Sequence, residues 1–238
     1  MPLRAALGVA ILTAMPAAAD VTAARYTEPT TRYDHGVLGD AVEWGALEMT
    51  VAACAGCAAQ TVTVRLPETR VFEDIAPRLV DLDGDGAREV MVVETDSATG
   101  ARLAVLRGDG TLMAATPFIG QTRRWLAPLG AADLDGDGTM DVAYVDRPHL
   151  AQVLRVWRYQ DGALVAVAQA EGHTNHRIGD STIAGGLRDC GDGVEMVTLT
   201  PDWARIQVSR LDGPAIVTLQ AGPNDGPGAL DRAMRCAR

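Results

Sequence analysis

The sequence predicts an all-β fold, a small β-propeller of about four four-stranded blades, and three observations carry that expectation. DLDGDG stands at 81–86 and again at 133–138, each copy leading into a short apolar stretch rich in β-branched residues. Around these copies the chain repeats a plan about 50 residues long: a Thr-Arg pair, four strand-length segments, and a glycine turn before the last of them. Radial repetition of this kind leaves few free sheet edges, which suits strands this apolar. A β-sandwich carrying the same loops is the alternative. No 3.6-residue period extends past three turns after residue 20, which argues against a helical bundle.

Taken in order, residues 1–19 read as a secretory signal peptide. Met1-Pro2-Leu3-Arg4 gives a basic start, Ala5 to Met15 an apolar stretch, and Ala17-Ala18-Ala19 a cleavage site before Asp20. The remainder, 20–238, is expected to be one domain, periplasmic or secreted, because no other run approaches the roughly 20 apolar residues of a membrane span. The first unit (30–68) enters at Thr31-Arg32, offers strands at 43–52 and 61–66, and lacks an acidic loop. The second (69–119) enters at Thr69-Arg70 and the third (120–170) at Thr122-Arg123; both carry the loop. The fourth (171–222) enters at Thr174 to Arg177 and keeps only an eroded copy, with Arg188 and Cys190 where acids belong. A tail, 223–238, follows.

The acidic loops raise the sharpest chemical question. Two like charges about 4 Å apart repel by roughly 4 kcal/mol near a protein surface, so three converging carboxylates need a counter-charge. Calcium is the usual one, since a loop with acids at positions 1, 3 and 5 and glycine at 6 can supply its oxygen ligands. The residues in question are Asp81, Asp83, Asp85 and Gly86, and again Asp133, Asp135, Asp137 and Gly138. An EF-hand would need a bidentate Glu at position 12, where Val92 and Tyr144 stand instead. Position 9 holds the acid that could close each shell, Glu89 or Asp141, while Ala87 and Thr139 would offer backbone carbonyls. Two calcium sites are therefore expected. A plain Asp-Gly turn is the bland alternative, but it gains nothing from three acids.

Asp-Leu-Asp-Gly-Asp-Gly followed by a strand, repeated near 50 residues, resembles the FG-GAP or VCBS repeats, which are similar to the integrin α-subunit propeller. The resemblance is strong over 77–146 and weaker over 30–66 and 174–220. It implies an exported bacterial β-propeller in which the acidic loop joins the first two strands of a blade and binds calcium. Integrin-type propellers have seven blades, whereas this chain offers four units.

Four cysteines in an exported chain allow three pairings. Cys54 and Cys57 lie at the ends of a turn, within disulfide range, which leaves Cys190 to pair with Cys236. The second bond would tie the fourth unit where calcium ties its neighbours. Arg32, Arg70, Arg123 and Arg177 follow a threonine or precede an innermost strand in comparable places. They could gather as an anion-binding ring or tie each unit to the next. His173 and His176 lack the further ligands that zinc requires. Trp125, Trp157 and Trp203 suit a buried role better than a carbohydrate platform.

A net charge of −10 argues against a nucleic-acid partner. All 21 basic residues are arginine, which together with the abundance of alanine points to a GC-rich genome rather than to a function. No nucleophile elbow, metalloprotease helix or phosphate loop is present in the sequence. The leading reading is a non-catalytic interaction or ligand-binding module for a protein or carbohydrate partner. A polysaccharide hydrolase or lyase and an adhesive surface protein are the alternatives.

Overall fold

The computed structural model describes residues 19–54 and 56–237, so residues 1–18 of the expected signal peptide lie outside the described residues. The chain is all-β, with three antiparallel sheets, none of which closes on itself. The first sheet begins with β1 (Asp20–Thr30), β2 (Glu43–Ala52) and β3 (Gln60–Arg65), with β2 in the middle. It continues with a broken strand: β4 (Arg70–Phe72) and β5 (Arg78–Val80) pair with opposite ends of β6 (Glu89–Asp96). Outward from β6 lie β7 (Gly100–Leu106) and β8 (Leu112–Ala115). A single bridge between Trp44 and Phe72 fuses these two units into one sheet.

The third unit is a four-stranded meander: β9 (Leu126–Ala132), β10 (Asp141–Asp146), β11 (Val153–Gln160) and β12 (Ala163–Glu171). The fourth repeats it with β13 (Gly186–Asp189), β14 (Val194–Leu199), β15 (Arg205–Asp212) and β16 (Ala215–Pro223). β1 falls in a stretch that the repeat plan left out, so the first unit starts ten residues earlier than expected and has three strands. β8 stops short of the expected 111–118 just before Pro117, which has no N–H to give to a ladder. The tail is not featureless either, for it carries the short helix α1 (Ala229–Met234).

The units pack face to face in chain order. β6 and β10 are buried on both faces, which is why their centres, 90–93 and 142–145, are apolar without alternation. Phe72, Val90, Val92 and Ala104 pack towards Leu47, Met49 and Val51 of the first unit. The other side of the second unit, with Met91, Leu103 and Val105, meets Trp125, Leu126, Val142 and Tyr144 of the third. Leu154 and Val156 then meet Met196 and Leu211 of the fourth. On the far face of the fourth unit, Val197, Leu199, Ile206 and Val208 pack against α1 through Ala229. The segments that lead into the first and fourth units touch: Gly179 N–H donates to Val37 O at 3.0 Å. A Cβ on Gly39 would stand 2.7 Å from Gly179 O, so only glycine fits that approach.

Candidate functional site

Each unit from the second to the fourth turns from its first strand into its next through the acidic segment or its eroded copy. In the second unit, Gly86 N–H donates to Asp81 Oδ2 at 3.0 Å, Ala87 N–H to Asp85 Oδ1 at 2.8 Å, and Leu82 N–H to Glu89 Oε2 at 2.9 Å. The third unit repeats these three contacts, but there Asp133 Oδ1 also accepts from Gly136 N–H at 2.7 Å and Asp137 N–H at 3.1 Å. Gly138 donates to Asp133 Oδ2 at 2.9 Å, Thr139 to Asp137 Oδ1 at 2.7 Å, and Leu134 to Asp141 Oδ2 at 3.4 Å. Positive φ at Gly84 and Gly86, and at Gly136 and Gly138, lets the backbone wrap the carboxylates in this way.

Potential ligand atoms of Asp81, Asp83 and Glu89 lie within 4.8 Å of one another, as do those of Asp133, Asp135 and Asp137. Either group could hold a metal ion. The first group fits one on a further observation: Asp81 Oδ1 is buried and has no hydrogen-bond partner. A lone pair taken out of water without a donor is costly, and a cation would satisfy it. Glu89 is pushed up to about 7, by burial first; the Leu82 N–H opposes the shift, and the charges of Asp83, Asp85 and Asp81 add to it. That is the state of a carboxylate taken out of water, with like charges beside it adding to the shift.

The third unit differs in one residue that the sequence did not single out. Arg158, on β11 opposite Asp141, reaches into the loop. Its Nε donates to Asp141 Oδ1 at 2.8 Å, its Nη2 to Asp135 Oδ2 at 2.7 Å and its Nη1 to Asp137 Oδ2 at 2.7 Å. The guanidinium thus already sets a positive charge among three of the loop's four carboxylates. In the fourth unit Arg210 and Arg188 both pair with Glu195, at 2.7 and 2.8 Å. The second unit has Arg107 in the corresponding place after Leu106, but this side chain contacts Leu112 O at 3.4 Å instead.

The remaining candidates fall elsewhere. Disulfides join Cys54 to Cys57 and Cys190 to Cys236. Two disulfides fit a periplasmic or extracellular protein, and among the described residues no helix is long and apolar enough to cross a membrane. Arg32 donates to Arg70 O, and Arg70 pairs with Glu94 at 2.9 Å. Arg123 pairs with Asp34 at 2.8 Å, and the Arg177 guanidinium lies 4.1 Å from the Trp203 ring centroid. These contacts are ties between segments. His173 and His176 are buried; the first meets Thr198 Oγ1 at 2.8 Å and the second meets His149 Nε2 at 2.9 Å. Trp125 is also buried and donates to Glu73 O at 2.8 Å.

Residues 81–144 match the family model of the FG-GAP-like repeat, a span that begins at the first acid of one loop and runs through the other into β10. Over that span the chain is similar to an FG-GAP-like repeat. No curated protein matches it significantly.

Proposed function

We propose that the chain is an exported, calcium-stabilised β-propeller whose four units are its blades, and that it serves as a non-catalytic interaction module. The observation that carries the metal is the orphaned, buried Asp81 Oδ1, in a loop whose Gly86-to-Asp81 bond recurs as Gly138 to Asp133 in the next unit. Face-to-face packing of the units in chain order supports the propeller reading. Asp81, Asp83, Asp85 and Glu89 would hold the ion, with the Ala87 carbonyl; Asp133, Asp135, Asp137, Asp141 and the Thr139 carbonyl would do so in the second loop. Bound there, calcium supplies the missing counter-charge and fixes the turn between the first two strands of a blade.

A thermal melt of the mature chain tests this. With calcium at about a hundred times its Kd, the midpoint should rise by roughly 5 to 10 °C over the same sample in chelator. Equal midpoints would overturn the metal role.

The hydrolase reading draws on one pair, Glu73 and His35, joined at 2.6 Å. Glycoside hydrolysis needs two carboxyls flanking the scissile bond within about 10 Å of each other. The acids near this pair, Glu43, Glu73 and Asp74, are at most 1% exposed, out of reach of a polymer. The interaction module is therefore the better reading.

A further inference from the structure

The lead-in segments of the first, third and fourth units, together with the β10–β11 turn, line a cleft of about 310 Å³ with no acidic side chain in its lining. That is unusual on a chain of net charge −10. Three arginines line it. Arg123 is occupied by Asp34. Arg147 makes two hydrogen bonds to Asp146, at 2.9 and 3.0 Å, but Asp146 also accepts from Arg155 at 2.9 Å. One carboxylate therefore faces two guanidinium groups. Arg124 makes a single hydrogen bond, to the neighbouring Arg123 O at 2.9 Å. The cleft thus holds cationic charge that its own surroundings leave uncompensated.

Of its two histidines, His35 is held in place from below. His35 Nδ1 lies 2.6 Å from Glu73 Oε1, and the other oxygen of that fully buried carboxylate accepts from Thr95 Oγ1 at 2.7 Å. The imidazole is oriented by this contact, with Nε2 left for a ligand. A buried carboxylate spent on aiming a histidine into a cleft is the mark of a built site. Beside the charge lie Leu150 and Ile178, which are 64% and 72% exposed although both are large and apolar.

We propose that this cleft binds a small amphipathic anion, with a carboxylate or phosphate head at Arg124, Arg147 and His35 and an apolar body on Leu150 and Ile178. Charge-assisted hydrogen bonds to arginine favour such heads, and the volume lies within the range of ligand clefts. The proposal gives the interaction module a ligand class. It does not involve the metal loops, so the chelator melt and the experiment below can fail separately.

Isothermal titration calorimetry of the mature chain with octanoate, octyl phosphate, octanol and inorganic phosphate provides the test. Octanoate or octyl phosphate should bind at least tenfold tighter than octanol, and the stronger of the two identifies the head group. Arg124→Gln, at a half-exposed site whose only side-chain bond is local, should weaken binding about tenfold with the circular dichroism spectrum unchanged. The double variant Leu150→Ser, Ile178→Ser should weaken octanoate while leaving inorganic phosphate alone. Neither octanoate nor octyl phosphate binding better than octanol, inorganic phosphate matching the stronger of the two, or Arg124→Gln binding like the parent would each overturn the proposal.

Discussion

At the scale of single residues, the two matching loops are made unequal by Arg158. An ion entering the loop at 133 must displace a guanidinium that already touches three carboxylates, whereas the loop at 81 has no such internal cation and keeps an unpaired oxygen. The loop at 81 should therefore fill first. Replacing Arg158 by Gln removes the competitor, and the affinity of the second loop should rise at least tenfold. Terbium luminescence titration resolves this as one tight site per parent chain against two in Arg158→Gln. Equal stoichiometry and affinity in the two proteins would refute the competition. The carboxylates themselves were legible in the sequence because spacing alone puts them on one turn. Arg158 was not, because what brings it there is the register of β10 on β11, and an arginine in a strand reads as solvated until that pairing is known.

At the scale of elements, the fourth unit is fastened by means that its neighbours lack. Arg188 donates to Ala233 O as well as pairing with Glu195, and Cys190 is bonded to Cys236 just beyond α1. A six-residue helix is too short to form alone in water, so α1 exists because Ala229 and its neighbours pack on Val197, Leu199, Ile206 and Val208. This is also why no helix is legible in the tail's sequence: so short a helix gives no period to detect. Closing a loop of 46 residues contributes on the order of 3 to 4 kcal/mol in the chain-entropy account, whereas the three-residue Cys54–Cys57 loop contributes roughly half as much or less. Denaturant melts should separate the two. Cys190→Ser with Cys236→Ser should lower stability by about 3 kcal/mol and expose the apolar face under α1 to a hydrophobic dye, while Cys54→Ser with Cys57→Ser should cost no more than about 1.5 kcal/mol. A larger loss from the Cys54–Cys57 pair would reverse the assignment of which bond holds the fold.

At the scale of the whole molecule, the repeat plan was legible because the second and third units present the same order of strand, acidic turn, strand and glycine turn, and the fourth an eroded copy of it. What was not legible was how the units join. β1 lacks the loop that marks the others, and the Trp44–Phe72 bridge that merges the first two units depends on one residue from each. The resulting stack relies on three different ties: an acidic loop suited to an ion in the second unit, an internal arginine in the third, and a disulfide with a helix in the fourth. If these ties are local, losing one should loosen its own unit and leave the farther ones closed, because packed units open as separate cooperative segments. Hydrogen exchange of the mature chain with and without chelator tests that. Chelation should speed exchange at the Leu82, Gly86 and Ala87 amides and along β5 and the start of β6, whose amides sit on the proposed ion-binding turn. Val194–Leu199 in β14 should keep its protection, since Arg188, Arg210 and the Cys190–Cys236 bond hold that strand without metal. Uniform loosening of all four units would mean that the stack opens as one body and that the ion's influence is global. Unchanged protection at Gly86 and Ala87 would mean that the turn does not depend on an ion.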